Sequence, residues 1–417
     1  MPDSITVQNQ PTDYFSRLMN SIKGIGVGLV IFIISFVVLF NSEGGTDYSK
    51  IAEKALSVDS STMDVNVNNG NFVALRGNLV AEGTIGDQVS FADGNAVTVK
   101  AGPYVSLNRK VDYYVWTEKS ETKSGSNSNS STTTYTYSKK WSDSIPDSSN
   151  FNLPTGHENP VKTIEDNSVK AGSAKVGNQT VDLGKLTLPE TAKLALNSQN
   201  VEISTVPVIT TPAIVAPVTQ SVTTITATPD LAVTTPVVSS RKATLVDGSF
   251  IYFGTSYAQP GLGDMRVSYD VVKSGNLVTA FGKIEGNSLA TYFEGEKSLY
   301  RAFYGTKEEA MAKMHGEFVM FLWLMRIVGF FLMWMGLSMI FSPISAVLDF
   351  LPFIGGMSKS VISGITFVVA LLLTVVTVLV SKVVHNPLIM VVVVLILSAG
   401  VYFWVAGHTK KQVGPTA

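Results

Sequence analysis

The chain has 417 residues, with 31 basic and 32 acidic side chains, a net charge of −1 and no cysteine. Charged residues make up 15 % and apolar ones 45 %, against about 25 % charged in soluble domains, so the composition is that of a membrane protein. The charge balance speaks against a nucleic-acid binder, and the missing cysteines exclude disulfides, thiolate zinc sites and cysteine catalysis.

Residues 1–23 carry Arg17 and Lys23 and are expected to be a cytoplasmic N-terminus. "GIGVGLVIFIISFVVLF" (24–40) follows without a charge, and a run of this length crosses a bilayer only as a helix. No A-x-A cleavage pattern comes after it, so it reads as a retained anchor rather than a signal peptide. Gly24 and Gly28 form a small-xxx-small pair that lets a second helix approach closely.

From 42 to 317 the pattern changes to short runs of alternating apolar and polar residues broken by Gly and Asn, the signature of strands. "DYSKIAEKAL" (47–56) predicts a short helix. "VDYYVWTEK" (111–119) and "YTYSKKWSDSI" (135–145) flank a Ser/Asn-rich tip and predict a β-hairpin, with Tyr114, Trp116, Tyr135 and Tyr137 packing across it. "SFIYFGTSY", "GDMRVSYDVV" and "GNLVTAFGKI" predict a further meander. The Pro/Thr/Val-rich stretch 201–240 predicts a stiffened linker or insertion, with an arm that adds strand edges to a neighbouring subunit as the other reading. "FYGTKEEAMAKMHGEF" (303–318) predicts a helix running straight into the second span.

Three more spans follow: 318–341, 361–381 and 387–407. Arg326 is the sole charge within any of the four; it either snorkels to the interface or pairs with Asp349 or a lipid phosphate. Between the second and third spans lies "SPISAVLDFLPFIGG", part of an apolar loop over 342–360. Ile344, Val347, Leu348 and Leu351 would form the greasy face of a short interfacial helix stopped by Pro352, joining subunits or capping its own bundle. Lys410 and Lys411 in the tail 408–417, with Arg17 and Lys23, place both termini in the cytoplasm and the β-rich domain outside. The fold class is thus an α+β membrane protein with four transmembrane helices, one N-terminal and three C-terminal, and a large β-rich extracytoplasmic domain.

The pieces "LFNSEGG" after the first span, "VDYYVWTEK" with "YTYSKKWSDSIPDSSNF", "GHENP" (156–160), "GDMRVSY" (263–269) and "MGLSMIFSPISAVLDFLPFIGG" (335–356), in this order and spacing, resemble the LUMA family, also called transmembrane protein forty-three. The resemblance covers most of the chain but not 201–240. It implies a non-enzymatic protein with a large lumenal or periplasmic domain that self-associates. Animal members sit in the endoplasmic reticulum and inner nuclear membrane, linked to emerin and lamins. A bacterial member would sit in the inner membrane with a periplasmic domain.

No catalytic constellation stands out. There is no G-x-S-x-G, H-E-x-x-H or Walker pattern. Asp112, Glu118, Asp143 and His157 lie on or near the hairpin, where a solvated strand face accounts for them. No catalytic, cofactor-binding or metal residues are assigned and no cofactor is expected. The expected partners are membrane lipids, further copies of the chain and other membrane proteins, with no nucleic acid. The expected function is a self-associating membrane scaffold that organises membrane complexes or the envelope; an oligomeric ion channel or its auxiliary subunit is the alternative.

Overall fold

A computed structural model describes residues 4–9, 14–91, 95–124, 131–205, 241–344, 355–386, 390–391 and 395. Along the chain come β1 (Ser4–Asn9), α1 (Tyr14–Glu43), α2 (Tyr48–Glu53), β2 (Leu56–Asp59) and α3 (Val65–Asn68). Then follow β3 (Phe72–Glu82), β4 (Ile85–Ser90), β5 (Asn95–Gly102), β6 (Tyr104–Ser124) and β7 (Ser131–Ser142). Short strands β8 (Asn167–Lys170), β9 (Ser173–Val176), β10 (Gln179–Val181), β11 (Ala192–Lys193) and β12 (Val201–Thr205) lead to residue 205. After 240 come β13 (Lys242–Val246), β14 (Phe250–Gly254), β15 (Met265–Lys273), β16 (Asn276–Glu285) and β17 (Ser288–Ala290). The last strands are β18 (Tyr292–Glu294), β19 (Lys297–Leu299) and β20 (Arg301–Tyr304), and two long helices, α4 (Lys307–Ile340) and α5 (Gly355–His385), complete the described chain. The chain divides into two compact units, one formed mainly by 55–120 and 135–307, the other mainly by 6–54 and 308–417.

The first unit is β-rich. One sheet has the order β1-β7-β6-β15-β14-β13, with β8 added on β6 and β11 on β15; most of β1 and the ends of β6 and β7 over 121–134 are assigned to the second unit. A second has the order β2-β3-β9-β10-β17-β16-β20, and β3 also pairs with β16. That extra pairing closes β3, β9, β10, β17 and β16 into a ring, so those five strands expose no free edge to other chains. A three-stranded sheet, β12-β5-β4, and the β18–β19 hairpin complete the unit.

The meander expected over 250–284 forms only in part. β14 and β15 pair antiparallel as predicted, but β16 pairs with β3, not with β15. Gly275, at φ 90°, makes the turn that passes the chain from one sheet to the other, a conformation that a side chain disfavours. β15 is occupied on both faces and on both edges. Val271 belongs to one core, with Leu107, Val111, Tyr113 and Ile251, while Val272 belongs to another, with Val105, Leu79, Val278 and Ile284. Successive side chains of a strand point to opposite faces, and here both faces are covered. The edges of β15 are taken as well, by β6 on one side and by β14 and β11 on the other, so β15 has no free edge for the next strand of a hairpin.

Several buried polar groups in this unit are matched, although the side-chain amide of the fully buried Gln179 has no hydrogen-bond partner among the described residues. The Tyr113 hydroxyl donates to Ile164 O (2.9 Å) and accepts from Ile164 N (2.7 Å) and Thr163 N (3.1 Å). Asp87 accepts from Arg109 Nη1 (2.7 Å) and from the Tyr269 hydroxyl (2.8 Å). Burial, and then the Asp87 charge, push the Tyr269 hydroxyl far above its usual range; burial and Asp264 do the same for Tyr252. A phenol whose folded value is raised contributes stability that is complete below its unfolded value, about 10, and is lost as pH rises beyond it. The urea midpoint of the β-rich unit, followed by tryptophan fluorescence, should therefore hold through neutrality and fall above about pH 10. Tyr269→Phe should make that alkaline fall shallower.

The second unit is built on α1, α4 and α5, each long and apolar enough to cross a membrane. Of the helix predicted at 303–318, the part from Lys307 on is the start of α4, continuous with the span, whereas Phe303 and Tyr304 close β20. The helix predicted at 47–56 is α2, capped by Asp47, whose Oδ1 accepts from Ser49 N. The predicted fourth span, 387–407, apart from the helical residues 390, 391 and 395, the linker residues 206–240 and the loop residues 345–354 lie outside the described residues. Leu39, Met333, Leu337 and Ala370 form the buried centre of the bundle, flanked by Phe32, Phe36, Phe330, Trp334, Leu373 and Val378. Its polar side chains bond to helix neighbours: Ser338 Oγ to Thr366 Oγ1 (3.1 Å), Thr374 Oγ1 to Met333 Sδ (3.7 Å) and Trp334 Nε1 to Ser363 O (3.2 Å).

Candidate functional site

The end of α1 gathers the polar chemistry of the bundle. Within "LFNSEGG" (39–45), Leu39 is fully buried and packs against α4, where a side chain at Gly329 would collide with it. The Phe40 carbonyl accepts from Ser381 Oγ of α5 at 2.8 Å, and the Phe40 ring lies 4.8 Å from the His385 ring. Ser42 Oγ bonds back to Leu39 O at 3.0 Å. Gly44 lies against His385, whose ring would be 2.5 Å from an added Cβ. One heptapeptide thus ties α1 to both other helices.

Glu43 is the centre of this layer. Its carboxylate accepts from Arg326 Nε (2.6 Å) and Nη2 (3.0 Å), and the two side chains are only 2 % and 17 % exposed. This is a bidentate, charge-assisted pair in a poorly solvated place, where each charge is tolerable only because the other is present. The Arg326 guanidinium also lies over the Trp323 ring, 5.1 Å from its centroid. One layer along, Asp47 Oδ2 meets His315 Nδ1 at 2.9 Å, while Oδ1 caps α2. From Lys23 to Glu43 the helix carries no charge and rises about 30 Å, the thickness of a hydrocarbon core. The Glu43–Arg326 pair therefore marks one end of the apolar band rather than its middle.

The predicted site residues fare differently. Arg326 is not alone: Glu43, a partner the sequence reading did not name, pairs with it. Sequence reading missed Glu43 because a carboxylate just past an apolar run looks like an ordinary solvated boundary residue. Gly28 does allow close approach, within the chain itself: an added Cβ would sit 2.7 Å from Met339 Cβ and 2.9 Å from Gly336 O. Gly24 does not share this role, since its only neighbour would be Ser342 Oγ at 3.9 Å. Ile344 is half-exposed, and its amide donates to Phe341 O at 3.1 Å. Val347, Leu348, Asp349, Leu351 and Pro352 lie outside the described residues.

The hairpin candidates are structural. His157 is buried, with Nδ1 3.0 Å from Leu153 O, its ring stacked 4.0 Å from Tyr137 and set edge-on to Trp116 at 4.7 Å. The cross-strand packing predicted for Trp116 and Tyr137 is thus bridged by a ring from a distant loop, while Tyr114 packs on Trp141. Glu118 accepts from the Tyr137 hydroxyl (2.8 Å) and Asn152 N (2.6 Å), and Asp112 pairs with Arg266 (3.0 Å). Asp143 is exposed. Among the described residues no group of three or more His, Asp or Glu could hold a metal ion.

A model of the family described as Transmembrane protein 43 matches residues 113–387. Transmembrane protein 43 of Mus musculus is 23 % identical over 404 residues, covering 92 % of this chain and 90 % of its own length. The Rattus norvegicus protein is 24 % identical over the same coverage, and the Homo sapiens protein 23 %. No solved structure matches. The match takes in the hairpin, β13–β20 and both long C-terminal helices, and the chain belongs to the transmembrane protein 43 family.

Proposed function

We propose that the protein is a non-enzymatic membrane scaffold that self-associates and presents its β-rich domain on the extracytoplasmic side, periplasmic in a bacterial cell and lumenal in a eukaryotic one. The observation that carries this reading is the uncovered outer face of α5. Ile365, Val368, Leu372, Val376 and Leu379 are each 54–61 % exposed along one helix whose opposite face is fixed by Ala370, Thr366 and Thr374. A bundle pinned by ion pair and hydrogen bonds is a rigid mount, and an apolar face left free on it can meet lipid or a further copy without remodelling the fold.

The mass of the detergent-solubilised particle tests self-association: a multiple of 44.8 kDa is expected. A monomer at all protein concentrations overturns it. Ion flux into proteoliposomes separates a scaffold from a channel, and no flux above that of empty vesicles is expected.

A further inference from the structure

A cleft of about 380 Å³ runs between α4 and α5 on the membrane unit. Its walls are apolar, from Ile327, Phe330, Leu371 and Val375, and its lining includes two cations, Arg326 and Lys382. Ile327, Leu371 and Val375 are about half exposed, so the cleft opens sideways, toward the space that acyl chains fill in a bilayer. The volume lies within the roughly 300–1,000 Å³ of ligand sites.

The two cations differ. Arg326 already has its counter-charge in Glu43, to which it gives Nε and Nη2, and it keeps both N–H donors of Nη1 and one of Nη2. Lys382 makes no ion pair among the described residues, and no Asp or Glu lines the cleft. Trp323 borders the same opening, a residue suited to the headgroup level of a membrane. Charges at the edge of hydrocarbon are costly without a counter-charge. The remaining apolar stretch, 387–407, has no charged residue to offer, whereas a phosphodiester with an acyl chain supplies both the charge and the apolar filling.

We propose that this cleft binds one anionic phospholipid per chain, its phosphate held by Arg326 Nη1 and Lys382 Nζ and an acyl chain laid along Ile327, Phe330, Leu371 and Val375. The cleft adjoins the α5 face offered for self-association and shares Leu379 with it, but its occupancy is read per protomer.

The test is native mass spectrometry of the full chain in mild detergent, titrated with palmitoyl-oleoyl phosphatidylglycerol or with the zwitterionic phosphatidylcholine of the same chains. The anionic lipid should be retained at least tenfold better. Lys382→Gln should remove most of that preference, and Val375→Trp, which fills the cleft from its open side, should weaken retention of both lipids. Inorganic phosphate alone should not displace the bound lipid. Equal retention of the two lipids, or wild-type retention by both variants with an unchanged far-ultraviolet spectrum, overturns the proposal. So does full displacement by inorganic phosphate, which would reduce the site to an anion contact. Because the chain has no cysteine, Val375→Cys can be paired with single cysteines placed in 387–407. Efficient disulfide capture with no lipid retained would assign the cleft to that segment instead.

Discussion

Replacing Arg326 by Met should lower the unfolding stability of the membrane unit by about 3–5 kcal/mol, the cost of leaving one charge of a buried pair without its partner. Glu43, 2 % exposed, would then be left desolvated without its partner. Glu43→Leu alone should be comparably harmful, since it strands the guanidinium. The double substitution Glu43→Leu/Arg326→Met should recover most of the loss, because an apolar pair of similar volume avoids the desolvation cost on both sides. Denaturant titration of the detergent-solubilised protein, followed by the near-ultraviolet signal of Trp334 and its aromatic neighbours, reads all four species. If the double variant is no better than either single one, the two residues act independently and the pairing is energetically idle.

Gly336→Leu should cost about 3 kcal/mol, the upper end of overpacking penalties. An added Cβ at Gly336 would lie 2.8 Å from Phe32 N and 2.9 Å from Gly28 O. These are backbone atoms that cannot rotate aside, so the helices must separate and loosen the Leu39–Met333–Leu337 packing. Gly28→Leu meets the same wall from the other side and should behave alike. Gly26→Leu is the control: nothing lies within 4 Å of its Cβ position, and the change should fall within about 0.5 kcal/mol. The same denaturant titration decides. Equal tolerance at 26, 28 and 336 would mean that α1 and α4 do not pack as described.

The long elements were legible because they follow from periodicity and apolar length alone. The three spans, the hairpin around 125–130 and the helix leading into α4 needed no partner to be recognised. What escaped was pairing at a distance. "GNLVTAFGKI" carries strand residues, but nothing local says that its neighbour is β3, some 200 positions earlier, rather than β15 next to it. Glu43 and His157 were visible as residue types, yet their roles depend on Arg326 and on the Trp116–Tyr137 rings. Gly28 was found from spacing, whereas Gly329 and Gly336, seven apart on α4, escaped notice among bulky neighbours. The heptapeptide "LFNSEGG" first stood out only as a likeness; its contacts supply the physical cause.

The strands β6 and β15 line two cores at once, through Leu107 and Val271 on one face and Val105 and Val272 on the other. Neither half of the domain can melt while its neighbour stays intact, because the same pair of strands would have to be both ordered and loose. The domain is therefore expected to open in a single all-or-none step, with the amides of these two strands among the last to exchange with solvent. A module of this kind would hold its shape under load until it fails as a whole.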